Sequence, residues 1–252
     1  MALFLFNRLH APSLACALLV ALMTATGCKN MMSQGQNTEG SRMFAQGDYE
    51  AARHRFLQAM ATNPEDADSY YNLAVLYHRT GNLYQRPEEL QQAERYYRQC
   101  LDKNKDHIDC HRGLTVLLVE QGRSEEAFAS LEKWVETSPS LAEARVELAR
   151  LYEEFGDPET AKQQLVTALG YDPNNSRALA ALGHLYENAG DPMQALTNYQ
   201  RSLAANNLQP ELARRIAALR TTLGSSPPPA ANSAVVTAGQ ARTVNAATTQ
   251  PK

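Results

Sequence analysis

Five glycines set the period of this chain: Gly47, Gly81, Gly122, Gly156 and Gly190 stand 34, 41, 34 and 34 residues apart. A fixed spacing of that size marks a repeated supersecondary unit and constrains the fold more than any single motif. The same residue types recur around each glycine. Four residues before it come Met43, Tyr77, Leu118, Tyr152 and Tyr186, and seven before it come Gly40, Ala74, Thr115, Ala149 and Gly183. Leu73, Leu114, Leu148 and Leu182 stand just ahead of the last four of these. Five residues after the glycine lie Ala52, Ala127, Ala161 and Ala195, nine after it lie Phe56, Leu131, Leu165 and Tyr199, and Pro64, Pro139 and Pro173 close three units. Apolar residues four apart share one helical face. Small residues let two helix backbones approach, and the glycine breaks the chain between them. One helical hairpin cannot bury its own apolar face, so neighbours must stack.

This pattern resembles the tetratricopeptide repeat (TPR) and extends over residues 33–207. The resemblance implies an all-α superhelical solenoid of about five helical hairpins. The segment "LQPELARRIAALRTTLG" then reads as a capping helix over the last repeat, as solenoid ends require, and places the solenoid with its cap at residues 38–223. The second unit is seven residues too long. Pro87, Glu88 and Glu89 suit the first turn of its second helix, which leaves residues 82–86 as an inserted loop. Tyr84 and Arg86 there are either available for contact or part of a tolerated surface loop.

The ends of the chain differ from the repeats. Arg8 and His10 precede an apolar run at residues 14–23, short of the roughly twenty residues that span a bilayer. That run reads as the core of a secretory signal covering residues 1–27. Ala25-Thr26-Gly27-Cys28 resembles a bacterial lipobox, with Ala25 where Leu is usual, and the resemblance implies lipidation of Cys28 after cleavage. Residues 28–37 then form the lipidated cysteine and a short linker of at most about 30 Å, facing the periplasm. Lys29 in place of aspartate favours the outer membrane. At the other end, residues 224–252 are rich in Pro, Ala, Ser and Thr and are expected to be disordered.

Cys100 and Cys110 flank the turn "LDKNKDHID". In an oxidising compartment they suggest a disulfide, with two buried thiols as the alternative. A metal set of Cys100, His107, Cys110 and His111 has suitable donors, but adjacent Cys110 and His111 face different ways on a helix, so no metal or cofactor is expected. Trp134 stands where other units carry small residues and reads as repacking between the third and fourth units.

No phosphate-cradling loop, His-Glu-x-x-His or Gly-x-Ser-x-Gly motif is present, so the chain reads as a binding protein and not an enzyme. The net charge of −3 without a basic block argues against nucleic acid. Extrapolated from the pattern, the concave face presents Tyr71, Asn72, Val75 and His78, then Arg112, Val116 and Val119. Val146, Glu147, Arg150 and Glu154 follow, and then Arg177, Ala180, His184 and Glu187. A carboxylate-gripping clamp known in one subclass of the family is not matched, since Asp109 and Gly113 stand where basic residues are wanted. The face suits a peptide with some positive charge. The expected function is a membrane-anchored adaptor for partner proteins in a bacterial envelope assembly, of pilus, secretion or cell-wall type. Two other classes stay open: a self-assembling structural component, and a glycan- or small-molecule-binding lipoprotein.

Overall fold

In a computed structural model the backbone is described from residue 14 to residue 225, and side chains from Lys29 to Gly224. About half of the expected signal segment and nearly all of the tail, residues 1–13 and 226–252, lie outside this range. The described chain is eleven helices and no strand. They are α1 (Leu14–Ala45), α2 (Tyr49–Thr62), α3 (Ala67–Tyr84), α4 (Pro87–Lys103), α5 (Ile108–Glu120) and α6 (Ser124–Thr137). Then come α7 (Ala142–Glu154), α8 (Pro158–Tyr171), α9 (Ser176–Asn188), α10 (Pro192–Ala205) and α11 (Pro210–Ser225).

Helices pair in order, and the first helices of successive pairs also touch in series: α1 to α3, α3 to α5, α5 to α7 and α7 to α9. That arrangement winds the array so that odd-numbered helices line its inner side. The alanines five residues past each break, with Ala93 in the long second unit, are fully buried. Phe56, Tyr97, Leu131, Leu165 and Tyr199 are buried beside them. The smallest residues face the largest: a Cβ on Gly183 would lie 2.6 Å from the Tyr199 ring, and one on Gly40 2.5 Å from Phe56. Asp48, Asp157, Asn175 and Asp191 accept the free N–H groups at the starts of their helices. On α11, Ile216 and Leu219 cover Ala195 and Tyr199.

The second unit departs from the expected loop. Gly47, Gly122, Gly156 and Gly190 turn the chain with φ of 73–81°, but Gly81 stays helical and buried inside α3. Gln85 takes the left-handed turn instead, with φ 54°. Asn82, Leu83 and Tyr84 therefore continue α3, and Pro87 opens α4 as its first residue. Five extra residues go into the first helix, whose 18 residues compare with 13 in α5, α7 and α9, and three into the second, whose 17 compare with 14 in α6, α8 and α10, while the turn between them is one residue shorter. Helical hydrogen bonds satisfy the backbone of the added residues, where a loop would leave it to solvent.

Residues 29–37, expected as a linker, are also helical, since α1 runs on to Ala45. Ser33 and Asn37 are buried, and Asn37 Nδ2 donates to Asp66 Oδ2 and Ser69 Oγ at 3.0 Å each. No helix among the described residues is long and apolar enough to cross a membrane.

Candidate functional site

The inner face carries most of the polar side chains that the repeat pattern placed there, tied together across helices. Glu147 on α7 is its centre and is 1% exposed. Arg112 on α5 donates to it through Nη2 at 2.7 Å and Nε at 3.1 Å. Arg177 on α9 donates to the same Oε1, and Arg150 lies within 3.5 Å on α7 itself. Burial opposes the charge of Glu147, yet the hydrogen bonds from Arg112 and Arg177 overcome it and hold the carboxyl below its usual range. The same carboxylate raises the Arg112 guanidinium.

Neighbouring groups are linked in the same way. His78 Nε2 and Asn82 Nδ2 donate to Glu120 at 2.8 and 3.0 Å. His184 pairs with Glu153 at 2.8 Å, and Glu187 accepts from Tyr199 and from Arg215 of the cap. Tyr71 stacks obliquely on His107, whose Nε2 donates to Asp68. Burial, with Asp109 nearby, raises the Tyr71 hydroxyl. Tyr71, Asn72, Val75, His78, Arg112, Val116, Val119, Arg150, Arg177, Ala180, His184 and Glu187 are half-buried, and Glu154 is exposed.

Two residues expected to meet a partner do not. Val146 is 5% exposed and packs into the core with Leu165 and Leu182. Glu147 is out of a partner's reach. Glu147 lies on the side of α7 pressed between α5 and α9, and Val146 belongs to the core formed with α8 and α9, where the periodicity alone put both on the concave face. Glu120, Glu153, Asp68 and Arg215 were missed. Each joins the face through a partner more than twenty-five residues away in sequence, so no local spacing signals it.

The turn between α4 and α5 is a second cluster. Cys100 and Cys110 are joined by a disulfide, their Cα atoms 6.4 Å apart. His107 lies with them within 4.8 Å, donor atom to donor atom. Because the two sulfurs are bonded to each other, they do not form a metal-binding set in this state. His111 turns away and stacks on Trp134 at 3.8 Å, while its Nε2 donates to the Lys105 carbonyl. Trp134 Nε1 donates to Asp106 Oδ1 at 3.0 Å. Trp134 therefore clasps the turn before its own unit, and it also belongs to the buried cluster that holds Ala144 and Leu148 of the fourth unit. An apolar cleft of about 710 Å³ opens beside it between α4 and α6, floored by Leu101, Leu114 and Leu118.

Family profiles described as "TPR repeat" match residues 40–81, and others described as "Tetratricopeptide repeat" match 81–142, 142–175 and 166–197. No curated protein matches the sequence significantly. Among solved structures, the chain is similar to TTC0263, a TPR protein of Thermus thermophilus, with TM-score 0.56 and 22% identity over 75% of this chain and 99% of that one. It is also similar to human IFIT1, solved as a dimer with m7Gppp-AAAA, with TM-score 0.52 and 18% identity over 76% of this chain and 46% of the other. Pseudomonas aeruginosa pilF follows with TM-score 0.49 and 20% identity over 77% and 91%. At these identities the likeness is one of fold.

Proposed function

Because the chain belongs to the tetratricopeptide repeat family, we propose that it is a membrane-anchored adaptor that holds partner proteins or peptide segments on its inner face within a bacterial envelope assembly. The observation that carries this reading is the inner face itself. Four successive first helices present half-open aromatic, aliphatic and cationic groups along one strip, from Tyr71 through Arg112 and Arg150 to His184. Their ionic bonds cross between helices, so the strip is held in shape before a partner arrives, which lowers the ordering cost of binding. No catalytic constellation is built there, since the acids of the strip, the exposed Glu154 apart, are engaged by arginine, histidine, tyrosine or asparagine.

The anchor rests on the lipobox resemblance at Cys28. Its position is supported by α1, which continues without a break from that cysteine into the first repeat. Nine helical residues span about 14 Å, half the reach of an extended linker, so the inner face works close to the lipid surface. Tethering there raises the effective concentration of partners in the same compartment.

Two experiments test this. In-cell crosslinking and affinity capture compare the wild type with Tyr71→Ala/Val75→Ala/Arg112→Ala. Recovery of one envelope protein by the wild type and its loss in the variant supports the adaptor, and an unchanged set removes the inner face as the working surface. Separately, Cys28→Ser should release the protein from membranes, and full retention would end the lipid-anchor reading.

A further inference from the structure

The turn between α4 and α5 gathers three donors that metals favour, and its hydrogen bonds have already set the tautomer of the histidine among them. Cys100 and Cys110 are fully buried and joined, and a ring nitrogen of His107 lies with their sulfurs inside 4.8 Å. His107 Nδ1 accepts the Cys110 N–H at 3.2 Å, so its lone pair is bare on the side turned to the cysteines. The ring proton sits on Nε2 and is donated to Asp68 Oδ1 at 3.0 Å. Metal-ligating histidines are arranged in this way, one nitrogen free to bond and the other N–H given to a carboxylate. The Tyr71 ring, 5.5 Å from the imidazole between centroids, holds it from the inner side. A metal bond at Nδ1 would take the place of the cap to Cys110.

The obstacle is the bond between the sulfurs, and reduction removes it. A dithiol reductant opens the bridge by exchange and leaves as its own disulfide, so two electrons and two protons pass to Cys100 and Cys110. A metal ion then displaces both thiol protons to solvent. Zn2+ bonds sulfur at about 2.3 Å and imidazole nitrogen at about 2.0–2.1 Å, which sets tetrahedral donors roughly 3.5–3.8 Å apart. The freed sulfurs can separate that far by turning about their Cα–Cβ bonds, since their Cα atoms are 6.4 Å apart. Charge selects the ion. Two thiolates and a neutral imidazole cancel the charge of Zn2+, whereas Cu(I) would leave a negative charge uncompensated where both cysteines are buried. His107, with 12% of its side chain exposed, is the opening through which water completes four-coordination. His111, held on Trp134, is not needed.

We propose that the reduced chain binds Zn2+ through Cys100, His107 and Cys110, with Asp68 behind the histidine, and that disulfide and metal are alternative clasps for the same turn. The bridge closes it in an oxidising compartment, and the ion takes over once a dithiol has opened the bridge. Either one holds the end of α4 against the start of α5, so the second and third units stay joined in both states. The site goes beyond the adaptor reading and does not depend on the inner face being the binding surface.

The test uses the purified full chain in two forms, oxidised, and reduced with a phosphine and then desalted without oxygen. Zn2+ is titrated into each against a chromophoric chelator, with bound metal and free thiols counted. The reduced wild type should hold one Zn2+ per chain and melt at a higher temperature with the ion than without it. The oxidised form should hold none. Co2+ in place of Zn2+ should give intense thiolate-to-metal charge-transfer absorption in the reduced form alone. His107→Asn, which can still cap α5, should weaken Zn2+ binding at least about tenfold, and Asp68→Asn, which keeps all three ligands, by about tenfold. Both variants retain the cysteines, and melts of their oxidised forms check the fold. No Zn2+ held by the reduced chain, equal amounts held by the oxidised one, an unchanged affinity in His107→Asn, or retention of Cu(I) but not of Zn2+ would each overturn the site. An unchanged affinity in Asp68→Asn would overturn the part given to that carboxylate.

Discussion

Arg112 on α5 grips Glu147 on α7 through two donors, and so joins two repeats by a bond thirty-five residues long in sequence. Solenoids are held by contacts between neighbours, and here one interface carries a buried charge. Removing that charge leaves three arginines facing an empty carboxylate site. Since they are half-open, they can turn partly to water, so Glu147→Gln should cost about 2–4 kcal/mol and not more. Urea unfolding with fitted midpoints checks this, and a change within 0.5 kcal/mol, about the noise of a surface substitution, would show that the arginines hold the repeats without it.

The same residue shapes the acid limb of stability. The carboxyl of Glu147 titrates lower in the folded chain than the ordinary 4.5, so its contribution is present above that value. It is lost as pH falls through the folded pKa, because the unfolded chain takes up the proton first. The wild type should lose stability more steeply than Glu147→Gln below about pH 4.5, as followed by thermal melts across an acid series.

His111 has the same sign in a higher window. Burial lowers its pKa from 6.5, against the raising effects of its bond to the Lys105 carbonyl and of Asp106, so the folded chain keeps it neutral where the unfolded chain protonates. Stability should fall as pH drops below 6.5. His111→Phe keeps a ring against Trp134 but cannot titrate, so its midpoint should be flatter between about pH 7 and 5. An identical slope in the two proteins would assign the dependence to other groups.

The disulfide closes a loop of sequence separation 10, for which chain entropy gives about 2–3 kcal/mol. Cys100→Ala/Cys110→Ala should lose about that amount. Hydrogen exchange should rise first at residues 104–107, where the Asp106 bonds to Trp134 and Ser138 would be left to hold the turn. Mass spectrometry with and without reductant verifies the bridge itself.

In the second unit two substitutions should move in opposite directions. A Cβ on Gly81 would come within 2.6 Å of Leu90 Cδ2 and 3.1 Å of its backbone nitrogen, so Gly81→Ala should cost about 1–3 kcal/mol. Gln85 holds a left-handed turn that glycine adopts freely, so Gln85→Gly should gain about 0.5 kcal/mol. Paired thermal melts read both.

The glycine period exposed the repeat units because each unit's small and large positions must interlock with the next, and that need is written locally. Ala52, Ala127, Ala161 and Ala195 are buried where the pattern put them. Gly81 misled for a physical reason: helix and turn both accept glycine, and only the crowding by Leu90 shows which is used. The inner face was legible as a list of helix positions but not as a network. Whether Glu147 faces a partner or a neighbour depends on arginines thirty residues or more away, and periodicity carries no record of them.

The lengthened hairpin of α3 and α4 has an effect that reaches past its own packing. Four of the five units turn at a glycine at the same place, so a ligand with a repeating outline could engage them one unit out of phase and find similar surroundings. The longer pair breaks that screw symmetry. It acts as an index mark on the spiral and gives the groove a single origin from which any extended partner must be aligned.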